Sequence, residues 1–159
     1  GFSCKKISDL LTFSISDQSS FTVNSYSSVN SPIAIITPPV QTNSSKEFEN
    51  NKTSAKLVKD IRLENLTLST TSPSGQTFDF LQSIHIYIST NSTNEIEIAY
   101  LDSVQPGSDK ISLIPTEAKL DEYIKSSSYT LRTEVTTKEI LTHDVTINID
   151  SKFQVTANL

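Results

Sequence analysis

The sequence has no tryptophan and no methionine, and only one cysteine and three glycines among its 159 residues. Loops that cradle phosphate groups are rich in glycine, because only this residue lets the backbone approach the ligand so closely. The single cysteine, Cys4, can form neither an internal disulfide nor, by itself, a metal site. These shortages argue against a nucleotide-dependent enzyme, and we expect no cofactor.

Positive charge is also scarce. The formal net charge is −5, the isoelectric point is about 5.0, and the only arginines are Arg62 and Arg132. Binding to a phosphate backbone requires a basic stripe that this sequence lacks, so we expect no nucleic-acid partner. The sequence also contains no apolar run of about 18 residues, so any link to a membrane would have to be an anchor.

Hydroxyl-bearing and β-branched residues fill the space that these absences leave. There are 26 serines and 19 threonines, and threonine, isoleucine and valine together make 44 residues. Such side chains suit a half-exposed pleated surface, so the composition predicts an all-β protein. The length fits one domain with one core. We assign residues 1–11 to an N-terminal anchor or linker and residues 12–159 to a single β-sandwich domain.

Alternation of apolar and polar residues is clearest in the second half of the chain. Residues 144–158 alternate throughout and predict one long strand. Residues 129–137 alternate too, and we expect the two strands to pair across residues 138–143. Residues 84–88 and 95–100 flank a four-residue turn at 91–94 and predict a hairpin. The phase of alternation flips near Asn65, which predicts a bulge.

The rest of the chain is less regular. Residues 13–15, 21–23 and 33–36 suggest three short strands, and the polar run 41–54 suggests a long loop. Thr116 as N-cap, followed by apolar residues at helical spacing, predicts one crossover helix at about 116–126. Together these elements predict a two-layer antiparallel immunoglobulin-like β-sandwich, with a β-barrel as the alternative.

Three residues form the candidate ligand-binding site. Tyr87 is expected to be exposed on its strand and able to stack on a sugar ring, although such platforms are usually rich in tryptophan. Glu95 and Glu97 point to one side of the next strand, about 7 Å apart, a spacing at which paired carboxylates can divide acid and base roles. Any strand with one wet face produces the same pattern, so we expect no catalytic residue and no enzyme.

The sequence also offers two candidate metal sites. His85 and His143 would need further ligands that no local spacing supplies, so we expect surface histidines and no metal. The loop from Asp102 to Asp109 places carboxylates near a turn but lacks the regular spacing of a calcium loop. The sequence also contains four Asn-x-Ser/Thr sequons, at Asn43, Asn51, Asn65 and Asn91. In a chain this rich in serine, threonine and asparagine, we expect them to arise by chance and not as glycosylation sites.

The N-terminus carries a second type of signal. Ser3 directly before the solitary Cys4 resembles the end of a bacterial lipobox, and the absence of an initiator methionine predicts removal of an upstream segment. The segments 77–84, 120–126 and 153–157 resemble small exported lipoproteins of Bacteroidetes type with one β-sandwich and no established activity. The resemblance implies lipid attachment at Cys4 and a place on the outer membrane, facing the periplasm or exposed at the surface.

These observations predict a non-catalytic exported module that serves binding, adhesion or envelope structure, with a protein or glycan ligand. The alternative is a carbohydrate-binding or carbohydrate-processing protein that uses Tyr87 with Glu95 and Glu97. We expect a monomer or a weak oligomer, attached to the membrane only through its lipid.

Overall fold

The computed structural model describes residues 10–159, which form nine β-strands and two short helices. The strands are β1 (Leu10–Val23), β2 (Ile33–Ile36), β3 (Val40–Gln41), β4 (Val58–Ser72), β5 (Leu81–Ser89), β6 (Ile96–Leu101), β7 (Lys110–Pro115), β8 (Ser128–Thr137) and β9 (Val145–Asn158). The helices are α1 (Ser44–Asn50) and α2 (Asp121–Ile124). Within the described range, no helix is long and apolar enough to span a membrane.

The strands form one continuous antiparallel strip that folds into two layers. Hydrogen-bonded neighbours follow the order β1-β9-β4-β7-β6-β5-β8-β2, and β3 pairs with β8 beyond the end of β2. Strand β7 turns the corner, because residues 110–113 pair with β4 whereas Ile114 and Pro115 pair with β6. The first sheet therefore contains β1, β9, β4 and the start of β7, and the second contains the rest. This architecture confirms the predicted all-β sandwich.

The core lies between the two sheets and consists mainly of the inward-facing residues of the strands, with further side chains from helix α1 and from the β4–β5 connection. Its largest fully buried side chains include Phe48, Phe78, Phe153, Ile61, Leu66, Leu68, Ile84, Ile86 and Ile88. Burying one such side chain contributes about 1.5–3 kcal/mol relative to leaving it exposed. The core therefore fixes which side chains of each strand face outward, where the candidate site lies.

The expected pairing of the last two strands is wrong. Strand β9 lies between β1 and β4 in the first sheet, whereas β8 pairs with β5, β2 and β3 in the second. The connection at residues 138–144 therefore crosses from one layer to the other instead of closing a hairpin. Both strands bury one face against the core, and their alternation carries no information about which strand lies beside them.

The N-terminal third is also more regular than predicted. One fourteen-residue strand, β1, replaces the two short strands expected at 13–15 and 21–23, and it begins at Leu10, inside the segment assigned to a linker. Helix α1 lies within the run predicted as a loop. Its one buried apolar side chain, Phe48, packs edge-on against Phe13 with ring centroids 6.4 Å apart. Because the helix buries only one apolar residue, its sequence shows almost no helical periodicity.

The crossover helix exists but is shorter than predicted. Helix α2 has four residues, and its N-cap is Leu120 instead of Thr116, whose hydroxyl donates to the carbonyl of Glu97. Glu117 has φ of 65°, which a helix cannot accommodate. The bulge expected near Asn65 is confirmed, because the register of β4 against β9 shifts between Leu63 and Asn65.

Candidate functional site

The outward side of the second sheet carries two rows of cross-strand neighbours. The first row, from β7 to β2, contains Ile114, Tyr100, His85, Glu134 and Ala34. The second row, from β6 to β2, contains Glu97, Tyr87, Arg132 and Ile36. We call these nine residues the sheet face. The face combines aromatic rings and charged groups, with an exposed isoleucine at each of two corners.

A bulge in β6 brings two of these residues onto the same face. Ile86 pairs with Ala99 and Tyr87 pairs with Glu97, so Ile98 is the extra residue. Ile98 and Ala99 are both buried as a result. The inserted residue reverses the phase of alternation, and Glu97 and Tyr100 therefore both point outward.

Arg132 organises one half of the sheet face. Its Nε and Nη2 atoms donate to the two carboxylate oxygens of Glu95 at 2.9 and 2.8 Å, and Nη1 donates to Glu134 at 2.6 Å. The guanidinium also lies 4.4 Å from the centre of the Tyr87 ring, within cation–π range. Hydrogen bonds from Arg132 lower the pKa of Glu95. Burial, followed by the charge of Glu134, raises the pKa of Tyr87.

His85 organises the other half. Its Nδ1 faces Glu97, its Nε2 lies 2.9 Å from a carboxylate oxygen of Asp102, and its ring stacks on Tyr100 with centroids 5.7 Å apart. Carboxylates only accept hydrogen bonds, so both contacts are satisfied at once only when the imidazole carries two protons. Partial burial alone lowers the pKa of His85, but hydrogen bonds with Glu97 and Asp102 outweigh it and raise that pKa above its usual value.

The structure places the three predicted ligand-binding residues close together but in different surroundings from those expected. Tyr87 is only half-exposed, because Arg132 covers one side of its ring. Glu95 and Glu97 do not share an open space, since Glu95 pairs with Arg132 and Glu97 with His85. Arg132 therefore holds Glu95, and His85 holds Glu97, an arrangement that orders this part of the surface.

Sequence reasoning left out Arg132 and Glu134. The outward phase of Arg132 and Glu134 is visible in the alternation of β8, but their contact with Tyr87 and His85 depends on the pairing of β8 with β5. That pairing joins segments more than forty residues apart. Only knowledge of the sheet order would have placed these residues in one site.

The other candidate sites look different in the structure. His143 is exposed in the β8–β9 connection, and residues 10–159 contain no group of three or more metal-ligating side chains. Asp102 binds His85, whereas the loop amide of Gly107 donates to Asp79 at 2.7 Å. Cys4, the predicted lipid attachment site, lies outside the described residues.

No protein-family model and no curated protein matches this chain. Solved structures with a similar chain course include a 60-mer BFDV capsid protein, with 10% identity, a TM-score of 0.47, and coverage of 94% of this chain and 93% of that one. They also include the capsid of Helicobacter pylori bacteriophage KHP30, with 6% identity, a TM-score of 0.41, and coverage of 94% and 100%. A solved structure of carbohydrate-binding modules from the β-sandwich superfamily has 13% identity, a TM-score of 0.34, and coverage of 89% of this chain and 54% of that one. Similarities this distant carry no argument about function.

Proposed function

We propose that this protein is a non-catalytic binding module of the bacterial cell exterior and that the sheet face is its ligand-contacting surface. One observation carries the proposal: tyrosine, arginine and isoleucine side chains lie side by side on a single face of rigid strands. Tyrosine and arginine are enriched among residues that dominate binding energy. The face therefore has the composition of a contact surface.

The ion pairs of the sheet face support a role in binding more than in stability. Arg132 and His85 each link two carboxylates from other positions, and each also packs on a tyrosine ring. Side chains held in place before a ligand arrives lose less entropy on binding.

The two exposed isoleucines favour a protein partner. Ile36 is 66% exposed beside Arg132, and Ile114 is 48% exposed beside Tyr100. Large apolar side chains exposed at the corners of a polar face gain free energy when a partner covers them. We therefore place the contact of an adhesion or envelope partner across both rows.

An envelope-binding assay tests this proposal. Purified protein is added to isolated cell envelopes of the producing bacterium, and the bound fraction is compared for wild type, Tyr87→Ala, Arg132→Ala and Gln154→Ala. Gln154 is exposed on the first sheet and serves as the matched surface control. We expect binding to fall at least about tenfold for the first two variants and to stay unchanged for the third. Equal binding by all four proteins would remove the sheet face from the function.

Carbohydrate binding is the second candidate, and one feature favours it. Tyr87 and Tyr100 both lie on the sheet face next to carboxylates that accept hydrogen bonds from hydroxyl groups. A glycan array separates the two candidates. Sugar binding that disappears in both Tyr87→Ala and Tyr100→Ala would favour a carbohydrate ligand, whereas an empty array together with envelope binding favours a protein.

Export and lipid anchoring belong to the same proposal. The Ser3-Cys4 pair and the sequence resemblance support them. Expression in a bacterium with the native upstream sequence and an alkyne-tagged fatty acid should label the wild-type protein and not a Cys4→Ala variant. A wild-type protein that stays unlabelled in the cytoplasm would contradict the anchor without affecting the sheet face.

A further inference from the structure

A groove opens at the edge of the sandwich, where the two sheets separate. One wall is the middle of β1, and the other is the segment that leads into β3. The groove has a volume of about 550 Å³. Its lining residues are Ser16, Asp17, Gln18, Ser19, Ser20, Pro38, Pro39, Val40, Gln41 and Asn148. None of the nine residues of the sheet face lines the groove, and the binding proposed above does not use it.

Asp17 lines this groove and is half-buried, in the phase of β1 that faces the core. Ile15 and Phe21, in the same phase of the strand, are buried in the core. The residue opposite Asp17 in the register is Ser151, which is also buried. The carboxylate accepts a hydrogen bond of 2.7 Å from the hydroxyl of Tyr129, which spans the two sheets.

This carboxylate has no cationic partner in the described part of the chain. No lysine or arginine is among the lining residues, and the charge that acts on Asp17 is that of another acid, Glu47. Burial raises the pKa of Asp17 although the bond from Tyr129 opposes the shift. Asp60 and Glu95 differ from Asp17 in this respect, because each of them pairs with an arginine.

A half-buried carboxylate without a cationic partner is partly desolvated at a cost in free energy, and a charged group in a groove with a perturbed pKa is a recognised sign of a binding site. Tyr129 occupies one of the roughly four acceptor positions of the carboxylate, so further donors can still bind. The rest of the lining offers serine hydroxyls and side-chain amides, and its volume suits a small ligand.

We propose that this groove binds a small hydroxylated ligand that carries a primary ammonium group, with Asp17 as its counter-ion. An ammonium group is compact and has three donors, which suits a single carboxylate in a groove lined by other polar groups. The hydroxyl groups of the ligand then exchange hydrogen bonds with the serines and amides of the lining. An amino sugar has this chemistry.

Three matched probes test the proposal: glucosamine, glucose and N-acetylglucosamine. They share a ring and differ in whether they carry an ammonium, a hydroxyl or a neutral amide. Each is titrated into isotopically labelled protein at about pH 6, where an ordinary aspartate is ionised, and amide shifts in β1 and residues 38–41 are followed by NMR. We expect glucosamine to bind at least about tenfold more tightly than the two neutral sugars.

Two variants link this binding to the carboxylate. Asp17→Asn keeps the shape and an acceptor for Tyr129 but removes the charge, and it should lower glucosamine affinity to that of glucose. Glu64→Gln removes one negative charge from the outer surface of the first sheet, where Glu64 pairs with Lys152, and should leave the affinity unchanged. Equal binding of the three sugars by the wild-type protein, or no binding of glucosamine, would overturn the proposal even if Asp17→Asn failed to fold.

Discussion

Acidic side chains have different partners at the sheet face and in the groove at the edge of the sandwich. Glu97 and Glu134 of the sheet face, and Glu95 beside it, each contact an arginine or a histidine, and all three are partly open to water. In the groove, Asp17 is half-buried and accepts a hydrogen bond from the hydroxyl of Tyr129, with no arginine or histidine beside it in the part of the chain that the structure describes. An acid that pairs with a cation at the surface costs little, whereas a partly desolvated acid without a cation raises the free energy of the folded state unless something compensates it.

This difference distinguishes contacts that position side chains from contacts that affect the stability of the fold. Ion pairs at the surface contribute about 0–1 kcal/mol each, because water competes for the same groups. The pairs on the sheet face therefore hold side chains in position more than they hold the fold together. The groove lies against the core, so changes there act directly on the folded state.

The largest effect is expected from the two tyrosines that anchor these regions. Tyr129 is buried, packs edge-on against Phe153 and donates to Asp17, so Tyr129→Ala should destabilise the protein by about 3–5 kcal/mol. Tyr87 is half-exposed, and Tyr87→Ala should cost less than about 1 kcal/mol. Urea unfolding of both variants measures the contrast. Similar losses would show that the sheet face carries as much stability as the sandwich edge.

Much of the fold was predictable from single strands, because burial on one face imposes a period of two. This signal located β5, β8 and β9 and the hairpin between β5 and β6. It could not reveal that β9 pairs with β1 and β4, because the choice of neighbour depends on the packing of distant segments. Helix α1 was missed because it buries only one large apolar side chain.

The same division applies to the site. The alternation indicated that Tyr87 and Glu97 face outward, but it could not identify their partners. Arg132 reaches Tyr87 through the pairing of β8 with β5, and His85 reaches Glu97 within the β5–β6 hairpin. Asp17 had a signal that was overlooked. Phe13, Ile15 and Phe21 share one phase, and Asp17 lies in that phase as a charged residue in a position that faces the core. Treating β1 as one continuous strand would have exposed it.

The next prediction sharpens the comparison through pH. The pKa of Asp17 is raised in the folded state, so its ionised form destabilises the protein at neutral pH, and this cost disappears as pH falls through the raised pKa towards about 3.9. Asp17→Asn should therefore be more stable than wild type at neutral pH and lose that advantage on acidification. Urea midpoints measured across this range give the difference directly.

Glu95→Gln provides the opposite case. Arg132 lowers the pKa of Glu95, so its ionised form stabilises the protein above the unfolded pKa, and the contribution is lost as pH falls through the folded pKa. The Gln variant should therefore be less stable than wild type at neutral pH and converge with it in acid. If the two variants changed in the same direction, the contrast between groove and face would be wrong.

A smaller effect is expected from Arg132 itself. Arg132→Ala removes the bonds to Glu95 and Glu134 and the contact with Tyr87, yet exposed pairs of this kind should cost only about 1 kcal/mol in total. Arg132→Lys keeps the charge but cannot contact both oxygens of Glu95 in the same plane. We expect both variants to fold, with broader side-chain NMR signals on the sheet face. A loss of several kcal/mol would place this surface in the structural core of the protein.

The smallest change in stability is expected from the titration of His85, which tests how tightly the sheet face is ordered. Its pKa is raised, so the contribution of the protonated ring is complete below about 6.5 and is lost as pH rises through the folded value. NMR should show wild-type His85 titrating above about 6.5. Glu97→Gln should lower that pKa more than Asp102→Asn, because the side chain of Asp102 is 63% exposed and that of Glu97 only 32%. Equal effects of the two substitutions would mean that water screens both carboxylates alike.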